Sequence, residues 1–133
     1  MKKPTVSKLK KKADQVFSLW IRNRDSKQGY CKCISCGVMK PIAEMQNGHY
    51  YSRSINYLRY DPRNCASQCV GCNIFKEGNK PAYALALVRK YGKDILEELE
   101  KDSRKYKQWT IKDLEELIKK YEAKTKSTND TTE

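Results

Sequence analysis

Six cysteines and one histidine carry most of the chemistry open to this 133-residue chain. Cys33 and Cys36 in CISCG, and Cys69 and Cys72 in CVGCN, form two C-x2-C pairs. Two residues between thiolates let one turn aim both sulfurs at a single ion, and two such pairs complete the tetrahedral shell that zinc takes. Four thiolates leave no open position, so a zinc held here is structural and its binding free energy becomes folding free energy. Gly37 follows the first pair, where the backbone must curl toward sulfur and glycine tolerates a positive φ. A redox C-x-x-C is the rival reading. It loses ground because the two pairs occur together with no βαβ pattern around them. Cys31 and Cys65 read as buried or spare thiols, although Cys31, two residues before Cys33, is spaced to replace it as a ligand.

His49, in QNGHYYSRS, lies between the two pairs, so a bound zinc would fix both ends of the segment that presents it. Asn64 stands five residues before Cys69, and Asn73 follows Cys72 directly. The order C-x2-C, then GH, then N-x4-C-x2-C-N resembles the zinc-stapled branch of the HNH, or His-Me finger, nucleases. More closely, GHYYSRS, LRYDPRN, QCVGCN and KEGN, with a following helix ending in KYG, look like the NinG/Rap recombination proteins of phages, which cut branched DNA such as Holliday junctions. The likeness covers about residues 15–123.

This resemblance implies an α+β fold in which a small zinc-stapled ββα-metal core is flanked by an N-terminal helix and C-terminal helices. Carried over by position, His49 is the general base and Asn64 the structural asparagine tying the loop to the histidine's strand. Asn73 is the ligand of a catalytic divalent cation, Mg²⁺ or Mn²⁺. Many relatives carry an acidic or histidine ligand immediately before the base, whereas this chain has Gly48; Asn47 is the candidate second ligand, or else a turn residue. The residue types suit the task. Neutral imidazole, with an unperturbed pKa of about 6.5, accepts a water proton near neutral pH. An amide oxygen is a hard ligand for Mg²⁺, which takes few protein ligands and acts as a Lewis acid on a phosphoryl group. Arg53, Arg59 and Lys76 are candidates either to add positive charge to the transition state or to anchor phosphates.

The elements that must position these groups can be read from periodicity. Over residues 5–23, Val6, Leu9, Ala13, Val16, Phe17 and Trp20 fall on one face of a helix, with lysines on the other. That pattern predicts an apolar stripe on the core, and Lys8, Lys10, Lys11 and Lys12 are candidate phosphate contacts. Residues 24–79 lack helical period and read as turns and short strands, with the zinc-stapled core over 31–79. From 80 to 126 the pattern is helical. Pro81 opens a helix that ends before Gly92, with Ala82, Leu85, Ala86, Leu87 and Val88 as its apolar side. A second helix covers about 93–103 with Ile95, Leu96 and Leu99 buried, and Thr110 with Asp113 caps a third through 126. Together, 1–126 make one domain, and 127–133, STNDTTE, reads as a disordered tail.

With only 38% hydrophobic residues, a chain of this length has little apolar interior, which is where a zinc staple helps. The net charge of +12 is spread along the chain, with nine basic residues against two acidic in 1–30 and thirteen against nine in 80–126. Such a balance favours a polyanionic partner. Tyr50, Tyr51, Tyr57 and Tyr60 interleave with Arg53, Arg59 and Arg63, a mixture suited to unstacked bases, although tyrosines at such positions also pack against a core. No stretch reads as a signal peptide or membrane span. The expectation is therefore a DNA-binding enzyme of the bacterial host cytoplasm, hydrolysing phosphodiesters in branched recombination intermediates, plausibly as a homodimer through its C-terminal helices. A less selective HNH enzyme nicking duplex DNA and a zinc-knuckle module that binds without cutting are the alternatives.

Overall fold

The computed structural model describes residues 4–131, the side chains of 128–131 excepted. Helix α1 spans Val6–Arg24, capped by the Thr5 hydroxyl, which accepts from the Lys8 amide at 3.1 Å. Its buried residues Leu9, Ala13, Phe17 and Ile21 repeat at helical spacing, so the predicted apolar stripe is real, although Val6 stays exposed. This stripe packs on α4, Ile111–Thr131, through Leu114, Ile118 and Tyr121. Phe17 and Tyr121 meet edge to face, 4.8 Å between ring centroids. The buried apolar residues of α4 are thus covered within the chain, while Ile111 at its start stays exposed.

Between these helices lie two small antiparallel sheets. β1 (Ser26–Lys27), β2 (Tyr30–Lys32) and β3 (Met39–Pro41) form one, in that order. β4 (Met45–His49) and β5 (Cys65–Cys69) form the other, with Met45 opposite Cys69 and His49 opposite Cys65. All five β5 residues are buried, with Cys65 in the cluster formed by α1 and Ala66 in a second cluster with Leu58, Tyr83 and Leu87. A single π-helical turn, Gly71–Phe75, follows β5, and α2 (Lys80–Tyr91) follows that. Pro81 sits in the first turn of α2, as expected, and Gly92 at φ +100° ends it. The face α2 buries is Tyr83 and Leu87; Leu85, assigned to the core from sequence, is exposed. α3 (Ile95–Ser103) adds Ile95 and Leu99 to the same cluster, with Leu96 partly buried against it.

Thr110 and Asp113 form the expected reciprocal cap, the Asp113 amide donating to Thr110 Oγ1 at 3.1 Å and the Thr110 amide to Asp113 Oδ2 at 3.2 Å. The helix they start runs on to Thr131, into the segment expected to be disordered. Extending an existing helix fixes only one residue per added hydrogen bond, so polar residues continue it past the last buried contact at Thr125. Residues 132 and 133 lie outside the described residues. Among the described residues no helix is long and apolar enough to cross a membrane.

Candidate metal centre and hydrolytic site

The four predicted zinc ligands converge. The Sγ atoms of Cys33, Cys36, Cys69 and Cys72 all lie within 4.8 Å of one another, and Cys36 Sγ is 3.7 Å from Cys69 Sγ. A tetrahedral zinc with sulfur at about 2.3 Å places sulfurs about 3.8 Å apart, so this cluster can hold zinc as a closed structural site. Each pair sits on a tight turn. The Cys33 amide donates to Val38 O at 2.8 Å and the Gly37 amide to Cys33 O at 2.9 Å, with Gly37 at φ +82°. Burial pushes the Cys33 thiol up, but backbone N–H groups of Cys36, Cys69 and Ser35 outweigh it and bring the thiol down to about 7. Cys31 and Cys65 are buried outside the cluster. The Cys31 thiol donates to Arg22 O at 3.2 Å, and burial drives Cys65 well above the usual thiol range.

The cysteine cluster is connected to the histidine through β5, whose last residue is the candidate ligand Cys69 and whose first residue pairs with His49. The knuckle's Ile34 amide also donates to Ser67 O on that strand at 3.0 Å. His49 ends β4 with Nε2 3.0 Å from the backbone carbonyl of Arg59. A carbonyl only accepts, so Nε2 carries the proton and Nδ1 keeps its lone pair.

Asn64, fully buried, holds the loop that supplies that carbonyl. Its Oδ1 accepts from the Tyr51 amide at 2.8 Å, and its Nδ2 donates to Tyr51 O at 3.0 Å and Leu58 O at 3.2 Å. The Asn64 side chain thus ties Tyr51 to Leu58 within the loop, immediately before β5 begins.

His49, Asn47 and Asn73 line one cavity of about 480 Å³. Asn47 and His49 are two residues apart on a strand and share a face. Asn47 Oδ1 is buried and meets no hydrogen-bond donor among the described residues. Asn73 donates from Nδ2 to Gln46 Oε1 at 2.7 Å, which leaves its own oxygen as the atom open to a cation. Gly48 between them cannot be otherwise: a Cβ there would stand 2.1 Å from Oε1 and 2.9 Å from Cβ of Gln68. Gln68 cannot swing away, because it is fully buried with its Nε2 tied to Ser35 Oγ at 2.9 Å and Gly78 O at 2.6 Å.

Three further cavity residues escaped the sequence reading. Asp14 reaches in from α1, Glu77 from the turn after the π-helical segment, and Lys80 from the start of α2. Lys80 Nζ donates to His49 O at 2.6 Å and also to Tyr50 O, and burial lowers its pKa. Asp14 carried a signal, being the one carboxylate in the first 24 residues; Lys80 carried none, since it is one lysine among many.

The candidate DNA contacts separate into two groups. Arg53 lines the cavity with its side chain 66% exposed, and Lys76 is exposed next to the cavity residue Glu77 without lining the cavity itself. Arg59 and Arg63 are instead engaged inside the protein. Arg59 is paired with Asp14, and Arg63 binds Asp61 and Asp102, each at 2.7 Å, bridging the loop to α3. Tyr50 and Tyr51 are half-buried and stack edge to face at 5.4 Å, with Tyr50 also against Tyr83. Tyr60 is buried with Phe17 and Trp109, so for these tyrosines core packing accounts for the residue type.

Comparison with known proteins identifies the family. The family described as Bacteriophage Lambda NinG protein matches residues 1–131. This chain belongs to the NinG family. It is 34% identical to protein ninG of Escherichia phage 933W over 117 residues, 87% of this chain and 56% of that protein. Against protein ninG of Salmonella phage P22 it is 34% identical over 121 residues, 90% of this chain and 57% of the relative. Protein ninG of Escherichia phage lambda is 33% identical over 117 residues, 87% and 55%. The chain thus spans a little over half the length of these NinG relatives. No solved structure matches it.

Proposed function

We propose that this NinG-family chain is a metal-dependent DNA endonuclease of the HNH, or His-Me finger, type that hydrolyses phosphodiesters in branched recombination intermediates inside the infected bacterial cell. One observation carries the reading: a single imidazole, fixed through Nε2 by the Arg59 carbonyl, lines the same cavity as the amides of Asn47 and Asn73. The succession of β4, β5, a short π turn and α2 supports the ββα-metal assignment.

In this reading His49 Nδ1 accepts the proton of the attacking water, with Nε2 held in place so that the ring does not rotate away. Such positioned proton transfer contributes about 10²–10⁴-fold. Asn73 is the main cation ligand, and Asn47 Oδ1, buried without a donor, fits the second position. When bound, Mg²⁺ or Mn²⁺ would supply Lewis-acid stabilisation of charge on the phosphate and leaving oxygen. Arg53, exposed at the cavity, neutralises the incoming phosphate, while Asn64 keeps the loop and its carbonyl in register.

The test compares the parent with His49→Ala on a four-way junction, a flap, duplex and single-stranded DNA, with Mg²⁺ and with EDTA. Cleavage of the junction by the parent, and its loss by at least about 100-fold in the variant with junction affinity and zinc content retained, supports the reading. A variant as active as the parent removes His49 from the mechanism. Equal rates on all four substrates favour duplex nicking, and binding without cutting favours a zinc-knuckle binding module.

A further inference from the structure

Helix α1 has a second stripe beside its apolar one. Ser7, Lys11, Asp14 and Ser18 follow one another at spacings of four, three and four, which places them on one face. Asp14 and Ser18 line the His49 cavity, and Ser7, Lys11 and Asp14 line a neighbouring trough of about 920 Å³. Its far wall is the loop carrying Ser52, Arg53 and Ser54, and Lys10 adds a second ammonium from the helix. Cavity and trough share Asp14 and Arg53, so they adjoin one another.

We infer that this trough seats the backbone of the DNA strand running away from the cut linkage, with Lys10, Lys11 and Arg53 on its phosphates and the serine hydroxyls as hydrogen-bond partners. Two features choose a sugar-phosphate strand as the occupant. The polar groups lining it are chiefly cations and hydroxyls, with Ser52 and Ser54 presenting their hydroxyls as a hydrogen-bonded pair, the set that binds phosphate oxygens without reading bases. From Ser7 to Ser18 the stripe is about 16 Å long at 1.5 Å per residue, which spans about five phosphate steps of one strand at the 3.4 Å rise along a duplex axis. The Asp14 carboxylate is neutralised by Arg59 at 2.6 Å and lies a longer 3.8 Å from Arg53, a pair that Arg53 exchanges for a phosphate when the strand is seated. The inference rests on the nuclease reading only for where the cut linkage lies.

Binding of a fluorescent four-way junction is measured against salt for the parent, for Lys10→Ala with Lys11→Ala, and for Lys112→Ala with Lys119→Ala on α4 as a charge-matched control. Alanine favours helix at these positions, of which Lys10 is half-buried and the others exposed, so the variants fold. The α1 variant should lose affinity on every sequence alike, and its slope of log K against log salt should be shallower by about 2, one for each phosphate contact removed. The control should keep the parent's slope. Slopes that match the parent in the α1 variant, or that fall equally in both variants, overturn the seat. If the parent binds with a steep slope and the α1 variant does not, yet neither cuts, the seat stands and the nuclease reading falls.

Discussion

Arg59 grips Asp14 through two parallel hydrogen bonds, Nε to Oδ1 at 2.9 Å and a terminal nitrogen to Oδ2 at 2.6 Å. The same residue's backbone carbonyl meets His49 Nε2, so a carboxylate on α1 is connected to the imidazole on β4 through one arginine. The bidentate geometry fixes the arginine backbone as well as its side chain.

Asp14→Asn retains the shape and loses the charge. We expect turnover to fall by about 10- to 100-fold, the penalty of displacing a reacting group by about 1 Å, with KM for a junction nearly unchanged. Asp14→Glu should recover part of the loss. Single-turnover cleavage checks this; unchanged turnover in Asp14→Asn would mean that the loop holds its carbonyl without help from α1.

The pH profile follows from the surroundings of the ring. Burial lowers the His49 pKa below its ordinary 6.5 and outweighs the Arg59 carbonyl and the Asp14 charge, both of which raise it. The neutral, base-competent form therefore persists below pH 6.5, and the acid limb of turnover should have its midpoint there. The linkage has the same sign. Between the folded value and 6.5 the unfolded chain binds more protons, so stability rises with pH across that window and is lost as pH falls through the folded pKa. Because the chain has one histidine, a single ring resonance followed by NMR gives this pKa directly, and a midpoint above 6.5 would contradict the burial argument.

Removing the staple should unfold more than the staple. Structural zinc sites contribute about 10–16 kcal/mol in small peptides, comparable to the whole stability of about 5–15 kcal/mol of a domain. We expect one zinc per chain by elemental analysis, and a zinc-selective chelator should abolish cooperative melting and release the β4–β5 hairpin. Cys36→Ser should show the same collapse at lower chelator concentration. A chelated protein with the parent's melting curve would show that the sulfurs hold nothing the fold needs.

Asn64→Ala leaves the Tyr51 amide and two carbonyls without their partner in a fully buried position. The expected cost is about 2–4 kcal/mol, read by urea denaturation, together with loss of cleavage because the Arg59 carbonyl drifts. Full stability in the variant would require water to have entered the clamp.

Much of this was legible in the chain, and the residues show why. The cysteine pairs announce themselves because metal binding fixes spacing, and α1 because burial on one helical face fixes a period. The cap at Thr110 was equally visible, since its chemistry is local. What escaped depends on contacts distant in sequence. Asp14 finds Arg59 45 positions away, and Lys80 finds the His49 carbonyl 31 positions away. Arg63 looked like a surface cation until α3 brought Asp102 to it, and Leu85 looked apolar enough to bury although Tyr83 and Leu87 take that face. The order of motifs picked out the candidate residues that share the cavity; packing decided which of the neighbouring charges stand beside them.

The glycine before the histidine sets a rule for redesign. Position 48 looks at a pinned glutamine, so installing a carboxylate there to mimic HNH nucleases would wedge β4 off β5 before it ever met a cation. The productive route to tighter cation capture runs through its neighbour, as Asn47→Asp, which swaps a neutral oxygen for a charged one on the side of the strand the imidazole already occupies.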